Sequence, residues 1–106
     1  MGGSETLLTG LNHLDTFAYV ASFSAGGLGT EFDKRFPNFD AKAANDKLKL
    51  LYVACGTDDR LIAPNRQFVQ WLKSKQTNVN AVETEGAHTW MVWRRNLAEV
   101  AQKLFQ

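Results

Sequence analysis

The chain has one cysteine, Cys55, among its 106 residues, which rules out an intrachain disulfide. Within "LLYVACG" that cysteine reads as a small buried apolar residue rather than a reactive one. Charge of one sign is also lacking. The formal net charge is +1, the basic residues are scattered, and the densest pair, Arg94 with Arg95, reads as a solvated helix face. A surface that tracks phosphates needs clustered positive charge, so nucleic acid is not an expected partner. No apolar run approaches the roughly 20 residues needed to cross a bilayer, so no membrane partner is expected. The start, "MGGSETLLTG", has neither a basic region nor a long apolar core, so no signal peptide is read and a cytoplasmic location is expected. Two histidines and one cysteine lack ligand spacing, so no metal site is expected. "AGGLGTE" is glycine-rich, but it lacks the lysine and hydroxyl residue of a phosphate-binding loop, and no cofactor is expected. There are no repeats, low-complexity tracts or linkers. Residues 1–106 are therefore expected to form a single domain, one small enough to bury only about two-thirds of its unfolded surface.

What is present alternates. "TLLTGLNHL" places apolar residues at 7, 8, 11 and 14, a helical spacing, with Ser4 and Glu5 suited to a helix start. "FAYVASF" over 17–23 reads as a buried strand, followed by a glycine-rich loop, "SAGGLGTEF". A short helix is predicted at about 40–46, and a second buried strand over 48–55, closed by Gly56. Pro64 fits the first turn of a helix that puts Phe68, Trp71 and Leu72 on one face. "VNAVE" over 79–83 is a third strand. A last helix at about 90–105 turns Trp93, Leu97, Val100, Ala101 and Leu104 inward. Strands alternating with helices imply parallel pairing through crossover helices. The expected fold class is α/β, a three-layer sandwich around a short parallel sheet with one edge open.

Ligands of open parallel sheets bind beyond the carboxyl ends of the strands. Asp58 and Asp59 follow the second strand and His88 the third, so an acid and a histidine can meet there. An aspartate that accepts a hydrogen bond from a histidine fixes its tautomer and stabilises the imidazolium; the histidine then serves as general base. Each residue also has a plainer reading. Either aspartate could shape the turn or cap the next helix, and His88 could be an idle loop residue. His13, on the first helix, is expected at the surface.

The segments "MGGSETL", "LDTFAYVASFSAG", "LLYVACGTDDRL" and "GAHTWMVWRRNLAEV" resemble the carboxyl-terminal half of α/β-hydrolase esterases of the feruloyl-esterase and esterase D type. The order acid then histidine is that of the family, in which the nucleophile comes first. The resemblance implies a partial α/β-hydrolase fold and carboxylic ester hydrolysis. It implies Asp59 as the triad acid, with Asp58 the alternative, and His88 as the base. In the family the nucleophile elbow reads glycine, any residue, serine, methionine, glycine, glycine. Met1-Gly2-Gly3 match its last three letters, which places the family serine immediately before Met1 and implies a truncated chain lacking the nucleophile strand. Ser4 is the nearest substitute nucleophile, against its simpler role as a helix cap. Ser22, Ser24 and a water activated by His88 are weaker candidates. Trp90 and Leu61 flank the base and the acid and could line an acyl pocket for a small ester, or belong to the core. Two outcomes are thus expected: weak or residual ester hydrolysis, or an inert α/β fragment that forms a homodimer or strand-swapped oligomer through the edge around 17–23.

Overall fold

Three short strands pair side by side and in parallel in a computed structural model that describes residues 1–104. They are β1 (Tyr19–Phe23), β2 (Leu50–Gly56) and β3 (Asn80–Thr84), in the order β1-β2-β3. Val20 lies opposite Leu51, and Val53 opposite Ala81. The central strand is buried from Leu51 to Gly56, which is why its sequence is a continuous apolar run rather than an alternation.

The helices are α1 (Gly2–Asn12), α2 (Phe32–Arg35), α3 (Ala41–Lys47), α4 (Ile62–Ser74) and α5 (Trp90–Lys103). Alternate residues of β2 face two separate apolar layers. Leu51 and Val53 join Leu7 and Leu11 of α1 and Phe68, Val69 and Leu72 of α4. Tyr52 and Ala54 join Val100 of α5, with Phe23 and Val82 packed against them. The architecture is the expected α/β one: a short parallel sheet between two helical layers.

Several local expectations need correction. The first helix begins at Gly2 and ends at Asn12, and the first strand begins at Tyr19, leaving Phe17 outside the ladder and partly exposed. The glycine-rich segment runs into a helix unforeseen in sequence, α2, whose Phe32 rings with Phe68 and Trp71 at 5.6 Å while Phe36 approaches the same two rings at 5.4 Å. The spacing Phe32–Phe36, one helical turn, was the available signal. Asp40 is the cap of α3, its carboxylate accepting from the Lys42 amide, and not part of that helix. Helix α4 starts at Ile62, so Pro64 is its third residue, where a missing N–H costs no helical bond. The buried face of α5 is Val92, Asn96 and Val100, while Leu97 is half exposed and Ala101 lies at the surface. The predicted face is off by about one residue because the buried stripe has a polar residue, Asn96, at its centre. The predicted end of α5, at 105, lies outside the described residues.

Candidate active site

The turn after β2 decides which aspartate points inward. The Thr57 amide continues the ladder to the Thr84 carbonyl (2.8 Å), and the Asp58 amide reaches the Gly86 carbonyl (2.9 Å). The chain then folds back, with the Asp59 amide donating to the Gly56 carbonyl (3.1 Å). Asp58 is left with an exposed side chain, whereas Asp59 is 2% exposed. Oδ1 of Asp59 accepts from the Leu61 amide at 2.9 Å, a local aspartate turn that locks the carboxylate plane. Oδ2 lies 2.9 Å from Nδ1 of His88.

The histidine is carried by the loop between β3 and α5. Gly86 has φ +125°, a conformation a side chain rarely adopts, and it swings the chain back over the end of β2. Gly56 makes that approach possible: a β-carbon there would collide with the Gly86 carbonyl group and stand 3.2 Å from the Ala87 oxygen. Arg95 of α5 ties the loop down from the other side, donating to the Glu85 carbonyl at 2.9 Å. Trp93 meets the imidazole at a right angle, with centroids 4.9 Å apart and planes at 89°.

Burial opposes ionisation of Asp59, yet the Leu61 amide, the neighbouring Ser24 hydroxyl and His88 together outweigh it and hold the carboxyl below the ordinary aspartate value. Facing an ionised carboxylate, Nδ1 must carry a proton to make the hydrogen bond, which leaves Nε2 of the neutral ring as the basic nitrogen. The lowered value has a consequence for folding. A carboxyl whose folded pKa lies below its unfolded one stabilises the protein at pH values above the unfolded pKa, and this contribution is lost as pH falls through the folded pKa. Chemical denaturation from pH 6 to pH 2 is therefore expected to show a steeper loss below about pH 4 in the parent than in Asp59→Asn. Equal slopes would contradict the assignment. Asp33 and Glu83, also lowered, by Lys75 and Arg66 respectively, remain in both proteins.

His88 opens onto a cleft of about 300 Å³ lined by Met1, Gly2, Gly3, Phe23, Ser24, Trp90 and Trp93. The cleft thus joins the histidine to the amino end of α1. The side chain of Trp90 is largely exposed there, whereas Leu61 packs against Gly26 and meets the acid only through its backbone. Ser4 sits in the first turn of α1 with its hydroxyl donating to the Met1 carbonyl at 2.7 Å, and α1 has no side-chain cap. His13 is at the surface, with Nδ1 2.9 Å from the Thr9 carbonyl. Ser22 is buried within β1 on the same side as Val20. Cys55 is fully buried, and burial first, then the Asp59 charge, pushes its thiol up to about 11, so it is neutral near pH 7. Sequence reasoning gave Trp93 to the core and Ser24 to the nucleophile candidates; both touch the acid–histidine pair or its neighbours. Among the described residues no cluster of histidine, cysteine and acids could hold a metal, and no helix is long and apolar enough to cross a membrane.

The chain is similar to several known proteins. It is 34% identical over its whole length to an endo-1,4-beta-xylanase/feruloyl esterase of Xylanibacter ruminicola, of which it covers 13%. It is 35% identical over 57 residues, 54% of the chain, to an acetyl esterase of Caldicellulosiruptor saccharolyticus, of which it covers 21%. Two solved structures share the fold. A ferulic acid esterase superposes with a TM-score of 0.70 at 21% identity, over 94% of this chain and 46% of that one. The S-formylglutathione hydrolase FrmB of Staphylococcus aureus superposes with a TM-score of 0.74 at 22% identity, over 96% and 47%. The chain thus spans about half the length of these structures and less of the curated relatives. The Esterase family model matches residues 1–104, and the chain belongs to that family.

Proposed function

We propose that the chain carries the acid and base of a carboxylic ester hydrolase site: Asp59 as the acid, His88 as general base and then general acid, and the amino end of α1 as the place where negative charge develops. The observation that carries this reading is the 2.9 Å contact between a buried carboxylate and a histidine that opens onto a cleft. Nε2 of His88 takes the proton of an attacking hydroxyl, and Asp59 stabilises the imidazolium so formed. The free amides of the first turn of α1, beside the same cleft, favour the oxyanion of the tetrahedral intermediate. Collapse of that intermediate expels the alcohol, which takes its proton from His88.

Ser4 and a water held by His88 are the nucleophile candidates within this chain. The relatives named acetyl esterase and feruloyl esterase suggest small acyl esters, with Trp90 against the acyl group and Leu61 supporting the acid. Hydrolysis of short-chain aryl esters, measured for the parent, His88→Ala and Ser4→Ala, tests the reading. Loss in His88→Ala supports it, and Ser4→Ala reports whether Ser4 attacks. Rates equal to the parent in both variants would overturn it.

A second reading rests on β1, which pairs with β2 on one side and lies at the sheet edge, with Phe17 partly exposed next to it. Such an edge is a template for another strand. A two-fold axis through that edge would pair β1 antiparallel with its copy. Under this reading the chain self-associates. Size-exclusion chromatography with light scattering is expected to give twice the monomer mass at tens of micromolar; a monomer at that concentration contradicts it.

A further inference from the structure

Ser24 has an unusual backbone for its residue type. It follows β1 directly, its amide donates to the Ala54 carbonyl at 2.8 Å, and its φ is +55°. That left-handed conformation costs a serine energy that glycine would not lose, and strain of this kind persists where the side chain is needed. The side chain is 3% exposed, so its hydroxyl must be satisfied inside the protein. Nε1 of Trp93 donates to its oxygen at 3.0 Å. An indole N–H has no acceptor function, so the direction of this bond is fixed. The serine proton is thereby turned away from the indole and left for its other polar neighbours, the Asp59 carboxyl and the Cys55 thiol. The Cys55 thiol is neutral and accepts weakly; the carboxylate is far the stronger acceptor.

We infer that Ser24 and Trp93 are a positioning pair for the acid: the indole N–H aims the Ser24 hydroxyl at the Asp59 carboxylate while the same ring braces His88 at a right angle. Trp93 thus touches both ends of the acid–histidine pair, one directly and one through the serine. Ser24 is no nucleophile under this inference, because its proton is committed to the carboxylate rather than offered to Nε2 of His88. The inference rests on the reading of Asp59 and His88 as a catalytic pair, but its test does not require turnover.

The groups facing the Asp59 carboxyl are His88, Ser24, Cys55 and the Leu61 amide. Removing a donor to the ionised form raises the pKa of an acid. The titration midpoint of Asp59, read from its carboxyl carbon by NMR, is expected to rise by about half a unit or more in Ser24→Gly and in Trp93→Phe. Ser24→Gly relieves the φ strain, so it is expected to fold, and Trp93→Phe keeps an aromatic ring beside His88. If the indole acts through the serine, the double variant shifts no further than the larger single shift. A midpoint unmoved by Trp93→Phe, or two shifts that simply add, would overturn the inference. Shifts as expected in a protein whose ester hydrolysis survives His88→Ala would leave the positioning pair standing and remove the proposed function.

Discussion

Gly56→Ala is expected to destabilise the protein by about 3 kcal/mol, near the upper end of what an overpacked position costs. Most small-to-large changes are softened because a flexible side chain moves aside. Here the obstacle is backbone: the Gly86 carbonyl group and the Ala87 oxygen. The loop cannot withdraw freely, because the Asp58 amide is bonded to the same Gly86 carbonyl and Arg95 holds Glu85. The strain therefore falls on the segment that carries His88. For a domain of this size the expected loss corresponds to a drop in Tm of more than about 10 °C. The folded fraction should also lose hydrolytic activity, because displacing the loop lengthens the 2.9 Å Asp59–His88 contact. Thermal unfolding followed by circular dichroism checks the first part, and a Tm within a few degrees of the parent contradicts it.

Asp59→Asn is expected to lower ester hydrolysis about a hundredfold or more while leaving the fold largely intact. The amide is nearly isosteric, and its oxygen can still accept from the Leu61 amide. Its nitrogen, however, brings a donor to Nδ1 where an acceptor stood. The imidazole then gains by accepting at Nδ1 and carrying its proton on Nε2, which faces the cleft. A histidine so arranged offers a proton where it should take one. Removing the ring, in His88→Ala, is expected to reduce hydrolysis to background. Initial rates with a short-chain aryl ester check both. If Asp59→Asn hydrolyses as fast as the parent while Asp58→Asn does not, the roles of the two aspartates are reversed.

Much of this was legible in the sequence. Period and composition marked the three strands, since "LLYVACG" has the unbroken apolarity of a strand covered on both faces. Chain order then put "GTDD" and "EGAH" at the ends of neighbouring parallel strands. Which aspartate turns inward was not legible from local pattern, because it depends on the Asp58 amide meeting a carbonyl 28 residues away. The Ser24–Trp93 bond joins residues 69 apart and depends on a left-handed backbone that serine seldom adopts, so no propensity argument could have found it. Helix α2 was missed because its four residues and their cap offer a single apolar spacing, Phe32 to Phe36, rather than a repeating one. The buried face of α5 was misplaced because Asn96 occupies a core position that pattern reading gives to apolar residues.

The proposal depends most directly on which imidazole nitrogen of His88 holds the proton. Nitrogen-15 NMR of the ring near pH 7.5 reads this, with exposed His13 as an internal comparison. The expected spectrum has a protonated, pyrrole-like Nδ1 and an unprotonated, pyridine-like Nε2, with the order reversed in Asp59→Asn. A parent ring protonated on Nε2, or one unaffected by Asp59→Asn, would show that the carboxylate does not prepare this histidine as a base.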